Sequence, residues 1–528
     1  MRPRGILYIN AWVMLFLGLA MLPCLALALA DDSNDTLPLL ISAIVALALG
    51  AGGLLGLRRR EGLNLKRRES YLAVLLAWTL AGLVGALPFY FQARLNQADP
   101  AWAPQTAAHP ISICELPADQ RHPAKEFCNY TDAVFESVSG FTTTGASVIS
   151  AGLWDSLDSQ LSEGKPGLPR GMLLWRALIQ WLGGMGILVL VMTVLTVEGG
   201  GGTDLMAAEV PGPTPGRLTP RAADTARLFW KVYVIMSLAQ VAALMAGGMD
   251  LFNAVAHTGP TMATGGFSTL RTSVMGMNSP YFEWVITFFM LAAGANFVLH
   301  YYLLFRRRVV YWRDSEFKGY LAVVAVAVVL VGVDLWNAGL WEGAEGTLRT
   351  SAFQVASIIT TTGFATRDFA LWPAGSQLLL LGLMLLGACA GSTGGGIKVV
   401  RVMVGVQAAF REILTIVQPR AVAPIRMSGS VIPERVVREN VGVAIFFVLG
   451  FMVTALIVAM LGSDLVTAVS AAASCIGNVG PGLNTVGPMA DYHLIHPLGK
   501  WALTIAMLAG RLEMYTVLIL LSPHFWRR

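Results

Sequence analysis

Charge is what this sequence has least of. Only 13% of its 528 residues are Asp, Glu, Lys or Arg, against 55% hydrophobic residues and a mean hydropathy of +0.62. An average soluble domain carries about 25% charged residues, so this composition excludes an ordinary water-soluble globule. Cysteine is scarce too. Five are present, too few for a disulfide framework, and they form neither a CxxC pair nor a clustered Cys/His set, which disfavours a metal site. Cys24, Cys389 and Cys475 fall in apolar stretches and read as small packing residues. Cys114 and Cys128 fall in the long loop Gln92–Tyr130, where an oxidising compartment permits a disulfide without requiring one. Seven histidines are spread thinly and no carboxylate pair sits within an apolar run, which argues against a membrane-embedded enzyme. No ATP- or NAD-binding motif is present. The glycine-rich run Gly387–Lys398 (GACAGSTGGGIK) is not a phosphate loop, because Ile397 separates Gly396 from Lys398 and no Ser or Thr follows.

Long hydrophobic runs are abundant. Two come first, Ile6–Ala30 and Leu37–Leu57. Then follow Tyr71–Phe91, Met172–Val197, Leu228–Gly247, Tyr281–Phe305, Tyr320–Trp336, Gln377–Val400, Val437–Met460 and Trp501–Leu521. Each holds about 20 residues, enough for ~30 Å of hydrocarbon. Ile6–Ala30 lacks a small-residue cleavage site and reads as a retained first helix rather than a signal peptide. Arg58–Glu69, Glu198–Arg227, Arg306–Lys318, Arg401–Arg438 and Arg527–Arg528 hold lysine or arginine in excess over the segments on the other side, which marks them as cytoplasmic and both termini as inside. Each of these clusters lies between or directly beside spans, so nucleic acid is not an expected partner; the partner is the bilayer.

Between these spans one segment recurs four times. The copies are Thr131–Val148 (TDAVFESVSGFTTTGASV), Phe252–Thr269 (FNAVAHTGPTMATGGFST), Arg349–Thr366 (RTSAFQVASIITTTGFAT) and Val466–Leu483 (VTAVSAAASCIGNVGPGL). Superposed without a gap, they place Gly145, Gly266, Gly363 and Gly480 in one column, preceded by Thr144, Gly265, Thr362 and Val479. All four fall on the extracytoplasmic side. The expected fold is an all-α polytopic membrane protein with ten crossings. It comprises an N-terminal two-helix unit (residues 1–69) and four parallel helix, re-entrant loop, helix repeats (70–198, 226–308, 318–411 and 434–528). Parallel repeats favour a pseudo-fourfold ring about the membrane normal.

Each loop begins with a short helix whose C-terminal end aims carbonyls and a negative dipole at the axis. The extended residues after it can present carbonyls in place of a cation's hydration shell. Glycine fits the central position, where backbone with positive φ crowds the axis. The candidate cation-binding residues are therefore Thr143, Thr144, Gly145, Gly265, Gly266, Thr361, Thr362, Gly363, Asn478, Val479 and Gly480. The second and fourth copies depart from Thr-Thr-Gly, so the ring is expected to be only approximately symmetric.

Two further features lie within the spans. Gly391, Ser392, Thr393, Gly394, Gly395 and Gly396 cannot hold a regular apolar helix; they form a kink or close-packing site, or a flexible gate beneath the loops. Arg511, in LAGRLEMYTVLIL, is costly in a span. It either snorkels or pairs structurally, or it stands near the axis and repels cations. Glu513, two residues away, points to a different face and is not an obvious partner. Asn296 and His300, four apart, read as an interhelical hydrogen-bonding pair. Arg176 and Gln180 lie near the outer end of their helix, with Arg176 reaching the interface and Glu136 a candidate partner for it.

On the four loops, the two extra N-terminal spans, the glycine run and Arg511, the chain resembles the Trk/Ktr/HKT family of potassium transporters, most closely its Trk-type membrane subunits. The resemblance covers essentially the whole length. It implies potassium uptake across a bacterial inner membrane through a single-chain pore, potassium being the transported ion rather than a cofactor. It further implies a homodimer, a cytosolic nucleotide-binding regulatory subunit, and a gate made by the intramembrane loop with Arg511. A sodium-permeable or cation-coupled member of the same family is the alternative within transport; a non-conducting scaffold would leave the four matching glycines without a purpose.

Overall fold

The structure, a computed structural model, describes residues 3–57, 67–98, 112–116, 122–149, 167–186, 222–340 and 343–527. The basic run Arg58–Lys66, most of Glu198–Arg227 and the far end of the span Met172–Val197 lie outside the described residues, as does Arg528.

Helix is nearly the whole of the regular structure. α1 (Pro3–Ala30) and α2 (Thr36–Gly56) form a hairpin. One order of elements then recurs four times: a long helix, a short one, and a second helix near membrane depth. The first set is α3 (Arg67–Gly85) with its continuation α4 (Leu87–Leu95), short α5 (Tyr130–Phe141), then α6 (Arg170–Gly184). The second is α7 (Ala222–Ala246), short α8 (Leu251–Ala263), then α9 (Pro280–Ala293) and α10 (Phe297–Arg306). The third is α11 (Ser315–Asn337), α12 (Gly343–Ile359), then α13 (Ala374–Leu386) and α14 (Val399–Val417). The fourth is α15 (Glu434–Met460), short α16 (Leu465–Gly477), then α17 (Pro497–Arg511) and α18 (Tyr515–Leu521). Between α14 and α15, a two-residue hairpin pairs β1 (Arg426–Met427) with β2 (Ser430–Val431).

Six of these helices, counting α3 and α4 as one, are long and apolar enough to span a bilayer. Their outward faces are apolar: Ile445, Val448, Leu449, Met452, Val453 and Leu456 of α15 are all exposed. A helix hydrophobic all round must be buried in protein or face lipid, and these faces are not buried in protein. The α1–α2 contact depends on small residues, since a side chain on Gly50 would strike the backbone of Leu15 and one on Gly18 would strike Leu47.

The second helix of the third repeat has the irregular centre expected for it. Those of the second and fourth repeats, expected as continuous spans, are also broken. α9 and α10 meet at 100° and α17 and α18 at 115°. Asn296 is the reason in the first case: its side chain accepts from Val298 N (2.9 Å) and starts a new helix. In the second case Glu513 and Met514 both take positive φ (55° and 38°), which ends a right-handed helix. α13, at 13 residues, extends only about 20 Å and cannot cross alone.

Cys114 and Cys128 are joined by a disulfide, which closes the outer loop over the start of α5.

Candidate ion pathway

The four short helices end alike. In each, the residue two before the column glycine takes left-handed backbone: Thr143 (φ 54°), Thr264 (55°), Thr361 (61°) and Asn478 (58°). The next amide bonds back to the carbonyl five residues earlier, at 2.8 Å every time: Thr144 to Ser139, Gly265 to Pro260, Thr362 to Ser357 and Val479 to Ser474. This is the helix-terminating geometry that satisfies the last free carbonyls and turns the following residues outward. The column glycines are left-handed too, at 80°, 75°, 84° and 108° for Gly145, Gly266, Gly363 and Gly480.

Their neighbours close a ring. A Cβ on Gly145 would run into the carbonyl oxygen of Gly265, one on Gly266 into that of Thr362, and one on Gly363 into that of Val479. A Cβ on Gly480 would meet the carbonyl of Thr144 at 2.6 Å. Each glycine thus abuts the carbonyl before the next glycine, and the fourth returns to the first. All eleven candidate residues are brought together here. A cavity of about 80 Å³ is lined by the four glycines and by residues that follow them, Ser147, Ser268, Pro481 and Pro488.

The side chains behind the ring hold it in place. Thr142 and Thr144 share a hydroxyl contact of 2.8 Å, as do Thr360 and Thr362. Asn478 Nδ2 donates to Thr144 Oγ1 (3.0 Å) and Met507 O (2.9 Å), and Tyr492 donates to Gly480 O (2.7 Å). Gln180 of α6 donates to Gly265 O (2.6 Å) and accepts from Phe267 N (3.0 Å). One turn away, Arg176 forms a forked pair with Glu136 (2.9 and 2.7 Å), whose other oxygen accepts from Val148 N (3.0 Å). Arg176 also donates to Ser268 O and lies 3.9 Å over the Phe267 ring. It is 1% exposed and does not reach an interface. The spacing of Arg176 and Gln180 was visible in the sequence; their convergence on two different loops was not. Outside the spans, the Thr467 hydrogen bonds beside Asp464, the N-cap of α16, hold its carboxyl below the usual carboxylate range. That places negative charge at the helix end where it is favourable.

Removing the charge of Glu136 takes the counter-charge away from buried Arg176, whose bond to Ser268 O and contact with the Phe267 ring do not neutralise it. Glu136→Gln is therefore expected to cost about 3–5 kcal/mol of stability. The check is the thermal unfolding of purified protein beside an Arg176→Met, Glu136→Leu double variant. The double variant should lose less than the single one; an equal loss contradicts the expectation.

Directly beneath the ring lies the glycine run. Gly395 N donates to Thr361 Oγ1 (2.7 Å), and a Cβ on Gly395 would strike the Gly477 carbonyl. Thr393 Oγ1 donates to Met262 O (3.0 Å) and Ala293 O (3.3 Å). Ser392 Oγ donates to Cys389 O (2.6 Å) and accepts from Gly394 N (3.3 Å). Gly391 O accepts from Phe297 N (3.0 Å), and Gly387, Gly391 and Gly396 all have positive φ. Arg511 donates to Thr393 O (2.6 Å) and to Gly183 O and Gly184 O (2.7 and 2.8 Å), so it spans from this loop to the end of α6. Lys398 donates to Gly394 O, and Glu513, set apart from Arg511 as its spacing implied, pairs with Arg401. His300 is held by Tyr311 OH (2.7 Å) and Ala292 O (2.8 Å); Asn296 is a helix cap rather than its neighbour on a shared face.

Thr264 and Lys398 escaped the sequence reading. Thr264 stands in the same column as Thr143, Thr361 and Asn478, so its signal was present in the alignment. Lys398 closes the glycine motif but carries no mark of burial in the sequence, and its partner is a backbone carbonyl.

A family model described as TrkH, cation transport protein, matches residues 104–528. The chain belongs to that family. The Trk system potassium uptake protein TrkH of Salmonella typhimurium is 38% identical over 518 residues, covering 98% of this chain and 97% of its own. The Trk system potassium uptake protein TrkG of Escherichia coli is 30% identical over 526 residues, covering 99% of each. Among solved structures, the potassium transporter TrkH from Vibrio parahaemolyticus superposes with a TM-score of 0.82 at 33% identity, over 100% of both chains. The TrkH family is one of transport proteins, not enzymes, and the all-α polytopic fold with its bent helix pairs is that of the solved relative.

Proposed function

We propose that this TrkH-family chain takes up potassium across the bacterial inner membrane, with both termini in the cytoplasm. The observation that carries the proposal is the closed ring in which four glycines each abut a neighbour's carbonyl. In it, carbonyls of Thr143, Thr144, Gly265, Thr361, Thr362, Asn478 and Val479, with those of the glycines, replace water around the ion. Positive φ at Gly145, Gly266, Gly363 and Gly480 lets the strands approach that closely. Non-helical backbone at membrane depth is tolerated because it lines this cavity.

Gly391–Gly396 and Arg511 form the gate in this reading. The loop sits against the underside of the ring, and the guanidinium adds a positive charge that an entering cation must pass. Moving one charge across 100 mV is worth ~2.3 kcal/mol, so a negative-inside potential can drive accumulation unaided. A homodimer, and a cytosolic nucleotide-binding regulatory subunit that docks on the basic segments including Arg401–Arg438, complete the proposal.

The test is uptake of potassium and rubidium by a transport-deficient bacterium expressing this chain, with sodium uptake measured alongside. Potassium and rubidium should enter while sodium is largely rejected. Comparable entry of all three would overturn the reading in favour of a sodium-permeable pathway.

A further inference from the structure

The intramembrane loop is fastened at both ends by a side chain that belongs to neither half of its own broken span. Glu316, in the first turn of α11, uses one carboxylate oxygen to accept from Ala390 N (2.6 Å) and from Val400 N (3.2 Å). Those two amides bracket the stretch from Gly391 to Val399. Glu316 is 7% exposed, at the N-terminal end of its span. Holding a carboxylate in that position is costly unless hydrogen bonds compensate, and backbone amides at the two ends of the loop provide them.

The helix start that carries Glu316 is also held by contacts outside the Gly391–Gly396 stretch. Asp314 caps α11 by accepting from Phe317 N (2.8 Å). Ser315 and Ser428 exchange two hydrogen bonds, each from one backbone N–H to the other hydroxyl at 3.0 Å, tying α11 to the turn of the β1–β2 hairpin. The loop side is different in kind. Gly387, Gly391 and Gly396 occupy left-handed backbone, and the stretch between α13 and α14 contains no helix. An acceptor on α11 thus meets a deformable segment at two points, while Arg511 holds its middle from α17 through Thr393 O and Lys398, within the segment itself, donates to Gly394 O.

We propose that Glu316 is a positioning residue that latches both ends of the Gly391–Gly396 loop in its place beneath the carbonyl ring, so that release of this one side chain frees the loop to leave the pathway. The inference rests on the reading of that loop as a gate. It assigns to Glu316 no contact with the ion. Glu316 acts through the loop, and the feature that matters is an acceptor oxygen at that point rather than its charge.

The distinction makes the proposal testable. Glu316→Ala removes the acceptor; Glu316→Gln keeps an oxygen where the carboxylate oxygen stood. Rubidium uptake per molecule of membrane-inserted protein is measured for both, with open probability recorded from purified protein in planar bilayers. Two buried amides left without an acceptor should shift the balance toward the open loop by roughly tenfold or more. Glu316→Ala should therefore raise uptake and open probability, and Glu316→Gln should restore them to near the wild-type level. A loop-shortened variant lacking Gly394 and Gly395 is run in parallel to separate the two readings. If shortening the loop raises uptake but Glu316→Ala does not, the latch is wrong and the gate stands. If shortening leaves uptake at the wild-type level, the gate itself is wrong. If Glu316→Gln raises uptake as much as alanine does, charge rather than the acceptor matters and the latch as stated is overturned.

Discussion

Replacing Arg511 with alanine is expected to raise potassium uptake per molecule. In a partly buried setting with an effective dielectric constant of about 20, a cation passing about 8 Å from a guanidinium meets about 2 kcal/mol of repulsion, which is about thirtyfold in rate. The same substitution removes three hydrogen bonds, one to Thr393 O in the loop and two to the carbonyls of Gly183 and Gly184. Both effects act in one direction: a lower barrier and a loosened loop. Arg511→Lys keeps the charge but loses the planar fork that reaches across to α6, so it should fall between wild type and alanine. Measured as rubidium influx normalised to membrane-inserted protein, an unchanged or lower rate for alanine at normal abundance would leave Arg511 as a structural strut only.

Replacing Gly363 with alanine is expected to abolish discrimination between potassium and sodium, or to abolish transport. The new Cβ would occupy the space of the Val479 carbonyl, and the backbone there is left-handed at φ 84°. An L-residue with a side chain costs about 1–2 kcal/mol in that conformation before any clash is counted. Relief requires the third and fourth strands to move apart, which distorts the oxygen cage that the selectivity depends on. A loss of about 1.4 kcal/mol of differential ion binding is already tenfold in selectivity. The effect should be graded around the ring: Gly480→Ala should be mildest, because its added Cβ has the most room, at 2.6 Å from the Thr144 carbonyl. Competition of sodium against rubidium uptake in the four single variants measures this order. Wild-type selectivity in the Gly363 variant would show that the carbonyl ring does not choose the ion.

Much of this was legible without coordinates. A span in lipid advertises itself through about 20 uninterrupted apolar residues, because no water is present to reward polarity. The four loops were legible because one backbone conformation, repeated four times, demands glycine at one place and tolerates Thr or Asn two residues before it. Arg511 stood out because an arginine amid Leu, Met and Ala has no cheap place to go. The breaks in α9–α10 and α17–α18 were not legible. Each bent pair stays apolar enough on average to pass for one span despite Asn296, Arg511 and Glu513, and hydropathy does not report φ. Only Asn296 as a cap and the left-handed Glu513–Met514 pair reveal them.

What the sequence alone determined, then, is the membrane class, the sidedness, the fourfold recurrence and the column of glycines, all properties that act locally along the chain. What only the tertiary structure decided is which distant groups meet. Examples are Gln180 on the second loop, Glu136 with Arg176, Arg511 across to Gly183, and Glu316 on both ends of the glycine run. Those partners are backbone carbonyls and amides in most cases. Every residue carries such groups, so a sequence records the side chain that reaches out but not the peptide bond that receives it.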